Sequence, residues 1–167
     1  MKILVLGLLS VLAAFAQKIN IEFDQSVDFS KYRTFAIRDG RLNSGNPALN
    51  SDLVRKQIAG SIQKYLGAKG LVFVSSGSSD LNLRYTLGAA NKTELESYPA
   101  GWRGWGTQVV RVPYTQGTLV IDLRDSGTRA LVWRAIALQN KSDPYKIQGK
   151  LDDMVRKSFD KYPPKVK

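Results

Sequence analysis

Three groups of residues in this chain have the type and spacing to do chemistry: the step Ser61-Ile62-Gln63-Lys64, the acids Asp122, Glu94 and Glu96, and the stretch YPAGWRGWG from Tyr98 to Gly106. Ser-x-x-Lys is the spacing at which a lysine one helical turn away activates a serine for acyl transfer. Here the step falls inside a helical pattern with Ile62 turned to the apolar side. No Ser-Asp-Asn or Lys-Thr-Gly partner accompanies it, so the match reads as coincidence. Hydrolysis by carboxylates needs two of them facing each other across a cleft. Asp122 and Arg124 alternate with Leu119, Ile121 and Leu123, which predicts a solvated cross-strand network with Arg84 and Arg134 instead. Glu94 and Glu96 share one side of a strand. The chain has no histidine and no cysteine, which removes serine–histidine triads, thiol nucleophiles, the usual zinc sites and disulfides. No loop carries the alternating oxygen ligands of a calcium site. The expectation is no catalytic residue, no metal and no cofactor, with a carboxylate hydrolase as the third-ranked function.

Binding is the chemistry these residues favour. Trp102 and Trp105, three apart among glycines, can present indole faces to sugar rings or sit at a lipid headgroup boundary, with Tyr98 adjoining and Arg103 and Arg111 adding charge. These five are the candidate ligand contacts. The alternative use of the segment is a cover, its rings folded over the polar sheet face or an edge strand. A formal net charge of +11 favours anionic surroundings such as acidic lipid, phosphate-bearing glycan or cell-wall polymer. Near the C-terminus Lys141, Lys146, Lys150, Arg156, Lys157, Lys161, Lys165 and Lys167 outnumber Asp143, Asp152, Asp153 and Asp160. Much of this is the solvated face of an amphipathic helix, with a weak attraction to anionic polymer besides. No nucleic-acid-binding motif occurs, and no nucleic-acid partner is expected.

The elements that position these groups follow from periodicity. Residues 1–16 read as a secretory signal peptide: Lys2, an apolar run from Ile3 to Phe15 and a small-x-small site, Ala14-Phe15-Ala16, with cleavage expected before Gln17. No second run of spanning length follows, so a mature chain without a transmembrane segment is expected, and the missing cysteine argues against a lipid anchor. Residues 17–167 have the length of one domain. KINIEFD and YRTFAIR alternate as strands. Next, Leu49, Val54, Ile58, Ile62 and Leu66 make the apolar face of a long helix, entered through Asn46-Pro47 and stopped by Gly70. LVFVS is a short strand. Leu81, Leu83, Tyr85 and Leu87 lie on one face of a long strand, with Gly88-Ala89-Ala90 predicted as a bulge or bend and Pro113 predicted to interrupt its partner. YPAGWRGWG then sits at the tip of an extended hairpin. DSGT turns the chain into ALVWRAIALQN. Asp143-Pro144 opens a second helix with Ile147, Leu151, Met154, Val155 and Phe159 inward. The predicted fold is α+β, order β-β-α-β-β-β-β-α, an antiparallel or mixed sheet of about six strands with two helices on one face.

DFSKYRTFAI near the start, the NPALNSDLVRKQIAGSIQKYLGAKG helix, GTLVIDLRDSGTRALVWRAIA and the terminal FDKYPPK together resemble the bacterial family known as domain of unknown function 4136. The resemblance runs from about Ile19 to Pro164, and the GTLVIDL block with LVWR is its most specific part. It implies an exported cell-envelope protein. Many members are lipoproteins, from which this chain departs by lacking a cysteine after its leader. A Gly/Trp/Tyr-rich insertion often precedes the GTLVIDL strand in the family, and YPAGWRGWG stands in that place. The resemblance carries over no catalytic residue. The function expected is non-catalytic binding of envelope glycan or anionic lipid in the periplasm or outside the cell, or alternatively assembly with another envelope protein.

Overall fold

A computed structural model of the chain describes residues 17–99, 107–141 and 143–164. Six strands form one mixed sheet: β1 (Lys18–Phe23), β2 (Thr34–Asn43), β3 (Val72–Phe73), β4 (Leu81–Pro99), β5 (Thr107–Asp125) and β6 (Leu131–Lys141), in the spatial order β1-β6-β5-β4-β2-β3. The pairs β1/β6, β6/β5 and β5/β4 are antiparallel, whereas β4/β2 and β2/β3 are parallel. Helices α1 (Asp52–Gly67), α2 (Pro144–Gln148) and α3 (Leu151–Phe159) complete the chain. The expected α+β order holds, with the terminal helix divided at Gly149-Lys150.

Alternation decides which face is covered. Leu81, Leu83, Tyr85 and Leu87 of β4, Leu119, Ile121 and Leu123 of β5, and Trp133, Ala135 and Ala137 of β6 are buried on one side. Val54, Ile58, Ile62 and Leu66 of α1 and Leu151, Met154, Val155 and Phe159 of α3 close over them. Trp133 stacks on Phe159 with ring centroids 5.4 Å apart. Glycine makes room at two close approaches. Gly40, opposite Tyr85, leaves space for the tyrosine ring, and a Cβ on Gly117 would lie 2.6 Å from the Ile147 side chain, so its absence lets α2 dock on β5.

Several local expectations are corrected. Asn46-Pro47 opens a short 3-10 turn, Pro47–Leu49, and α1 is capped instead by Ser51, whose Oγ accepts from Val54 N. Gly88-Ala89-Ala90 forms no bulge, because the β4/β5 register is continuous through it. The irregularities lie at Ile37/Asp39 in the β2/β4 pairing and at Leu123/Arg124 in the β5/β6 pairing. Pro113 does not interrupt the ladder to β4, since it pairs in register with Thr93. Gly70 does adopt the left-handed conformation, φ +89°, that only glycine holds without strain.

Candidate functional site

The helix-borne serine is disarmed. Ser61 Oγ donates to Asp152 Oδ1 at 2.7 Å and Tyr65 Oη donates to Asp152 Oδ2 at 2.6 Å, which ties α1 to α3. Lys64 Nζ reaches Tyr65 Oη at 3.3 Å. The Tyr65 hydrogen bond first, then that of Ser61, holds the Asp152 carboxyl below the usual carboxylate range. A clamp between helices is therefore what the Ser-x-x-Lys step contributes to.

The predicted cross-strand network holds for Asp122 and Arg134 on the sheet face away from the helices, whereas Arg124, in register with Asn82, donates to the Arg129 carbonyl at 3.2 Å. Register aligns Glu22, Arg134, Asp122, Arg84 and Asp39 in one row across five strands, with alternating charge. Arg134 grips Asp122 through Nε at 2.6 Å and Nη2 at 2.8 Å. This bidentate pair absorbs both oxygens of Asp122. At the end of the body opposite the hairpin arm, a shallow pocket of about 300 Å³ is lined by Lys31, Tyr32, Ser79, Asp80, Asp125, Ser126 and Gly127. Its acids are also committed. Asp125 accepts from Thr128 N, Gly127 N and Tyr32 Oη, and lies 3.2 Å from Lys31 Nζ. The Thr128 backbone hydrogen bond, followed by that of Tyr32, pulls its carboxyl far down, while burial and then Asp125 push the Tyr32 phenol up. Asp80 accepts from Arg33 N, Thr34 N and Thr34 Oγ1. Such donor sets build turns and hold strand ends together. Among the described residues no group of three or more metal-ligating side chains occurs.

What the sheet leaves uncovered is the outer half of the hairpin. β2 stops opposite Gly88 and β6 stops opposite Thr115. From Lys92↔Tyr114 to Pro99↔Thr107 the two strands pair, among the described residues, only with each other, a ribbon of roughly 26 Å at about 3.3 Å per residue. A two-stranded ribbon alone is marginal in water and wants a further surface. Leu95 is 65% exposed, Val109 58% and Val110 37%. Leu95 stands opposite Arg111 with Val109 two residues along, all on the helix-side face but beyond the helices.

Of the five candidate contacts, Arg111 is exposed on this arm, in register with Leu95. Tyr98 is paired with Gln108 near the arm's end. Trp102, Arg103 and Trp105 lie outside the described residues. The basic C-terminal helix is partly neutralised within itself: Arg156 bonds Asp153 and Asp160, and Lys157 bonds Asp153. Sequence reasoning missed the exposed apolar residues of the arm. Their signal is the pair Val109-Val110, which places an apolar side chain on both faces of a strand instead of alternating. No helix of the described residues is long and apolar enough to cross a membrane.

The comparisons with known proteins agree with this architecture. The family model described as "Domain of unknown function (DUF4136)" matches residues 19–164, and the chain belongs to that family. No curated protein matches by sequence. Among solved structures, a PDZ domain protein from Parabacteroides distasonis is similar with TM-score 0.60 and 16% identity over 89% of this chain. The chain spans only 36% of that protein's length. PelC from Paraburkholderia phytofirmans, a dodecamer, is similar with TM-score 0.52 and 11% identity, over 86% of this chain and 94% of PelC. At such identities the likeness is one of fold.

Proposed function

We propose that this member of the family is an exported, non-catalytic binding module of the bacterial envelope whose contact element is the β4–β5 arm. Its ligand is envelope glycan or anionic lipid, taken at the Gly/Trp-rich segment between the two strands. The observation that carries the reading is the arm itself: eight residue pairs beyond the last sheet neighbour, with exposed Leu95, Val109 and Val110. A compact domain keeps a long exposed ribbon with apolar side chains where something else contacts it. The committed state of Asp122, Asp125 and Asp152 supports binding over hydrolysis. The leader-like residues 1–16 support export, and the lack of cysteine supports a protein without a lipid anchor, in the periplasm or secreted.

The test uses the three tryptophans. Trp133 is buried and stacked, so it is a constant background. The mature protein and a Trp102→Phe/Trp105→Phe variant are titrated with cell-wall fragments and with anionic vesicles, at low and near-physiological salt. A saturable shift in the parent alone supports contact at the turn, and its salt dependence separates charge attraction from stacking on sugar. No shift with either material refutes the glycan and lipid readings. The second reading, assembly with an envelope protein, is favoured by the apolar Leu95 and Val109 beside Arg111, a combination common in protein interfaces.

A further inference from the structure

The arm has two free edges, and the backbone equips them differently. Strand N–H groups alternate in direction, and the β4/β5 register runs unbroken from Leu81↔Asp125 to Pro99↔Thr107, so one known direction fixes the others. Asp125 N donates to Ala130 O on the β6 side, and Ser126 N donates to Asp80 O on the β4 side. Odd-numbered residues of β5 therefore point their N–H toward β6 and, in the arm, outward. Odd-numbered residues of β4 point theirs outward on the opposite edge. On β5 this puts Pro113, which has no N–H, in the free edge, where it breaks any added ladder. On β4 the outward donors beyond the end of β2 are Asn91, Thr93, Leu95 and Ser97. They are bounded by the end of β2 opposite Gly88 on one side and by Pro99 on the other. The outer sheet edges are less regular: β3 has 2 residues, β2 beyond it carries the irregularity at Ile37/Asp39, and on β1 Lys161 Nζ donates to the Ile19 carbonyl at 3.1 Å. The β4 edge of the arm is thus an open ladder, and Thr93 lies within it.

The charges beside Thr93 select the strand that fits. Lys92 and Glu94 are both exposed and share the face away from the helices. In an antiparallel pairing of two β4 strands about a two-fold axis at Thr93, Lys92 of each chain stands opposite Glu94 of the other, twice over. An axis at Lys92 or at Glu94 sets like charges against each other, and an axis at Leu95 sets position 94 against position 96, both glutamate. The Thr93 axis also pairs the outward donors of Asn91, Thr93 and Leu95 across the two copies, and it brings exposed Leu95 beside Asn91 of the copy. We propose that the β4 edge of the arm pairs with the same edge of a second copy of this chain about Thr93, making a four-stranded ribbon in the order β5-β4-β4-β5. The pairing builds on the arm as contact element and needs no ligand at its turn.

Sedimentation of the mature chain measures the dimer, with circular dichroism to verify that each variant is folded. Lys92→Glu and Glu94→Lys each put like charges across the axis and are expected to weaken the dimer by about tenfold or more, whereas the double variant, which exchanges the two charges, restores it to within about threefold of the parent. Because the chain has no cysteine, single replacements give a clean crosslink. Thr93→Cys sits on the axis within disulfide reach and forms a covalent dimer on mild oxidation. Leu95→Cys is offset from its copy by four residues, roughly 13 Å, and does not. A parent that stays monomeric at every concentration sedimentation can reach overturns the proposal. So does a dimer indifferent to the charge exchange, or one that crosslinks at Leu95→Cys as well as at Thr93→Cys. A dimer whose tryptophans respond to neither cell-wall fragments nor vesicles would refute the glycan and lipid readings while leaving this pairing in place.

Discussion

Replacing Asp152 by alanine should destabilise the protein without touching the arm, and the size of the effect can be worked from the geometry. The substitution removes the acceptor of two short hydrogen bonds, 2.7 Å from Ser61 and 2.6 Å from Tyr65. The Ser61 residue is only 6% exposed, so its hydroxyl loses a charged acceptor with little water to replace it, at about 2 kcal/mol. Tyr65 is half-buried and regains some water, at about 1 kcal/mol. A total near 3 kcal/mol corresponds to a fall in Tm of roughly 6–12 °C for a domain of this size. Thermal and urea unfolding of the mature chain, followed by circular dichroism, measure it. Tyr65→Phe should cost about 1 kcal/mol, and Asp152→Asn, which keeps one acceptor, an intermediate amount. Because hydrogen bonds from Tyr65 and then Ser61 hold the folded carboxyl down, the clamp contributes fully above the unfolded pKa of about 4, and the contribution is lost as pH falls through the lower folded value. The gap between parent and Asp152→Ala is therefore complete at pH 7 and closes in acid below that value. A gap under about 0.5 kcal/mol at pH 7, or one that persists unchanged in strong acid, would refute the clamp.

Two further stability effects follow. Gly117→Ala drives a Cβ to 2.6 Å from Ile147, so α2 must shift or strain, and unfolding should show a loss of about 1–3 kcal/mol. Asp122→Ala leaves the Arg134 guanidinium, whose side chain is 32% exposed, without its bidentate partner, for an expected loss of about 1–2 kcal/mol in urea unfolding. A change within about 0.5 kcal/mol would mark that pair as an ordinary solvated one.

The sequence alone determined the elements and the face each presents. Leu81, Leu83, Tyr85 and Leu87 alternate, and Val54, Ile58, Ile62 and Leu66 recur at helical spacing, because a side chain's direction is set by its own backbone period. Charge alternation likewise foretold Asp122 with Arg134, since residues on one face of adjacent strands meet once the hairpin turn sets the register. The tertiary structure decided what depends on distance in the chain. Asp152 lies 91 residues from Ser61, and Asp125 lies 93 from Tyr32, and nothing local in either segment records the partner. The same holds for Gly117 under Ile147 and for the end of β2 opposite Gly88, which leaves one edge of the arm open. Where a neighbouring strand stops depends on packing over the whole sheet, whereas the period that made each strand is written in a few consecutive residues.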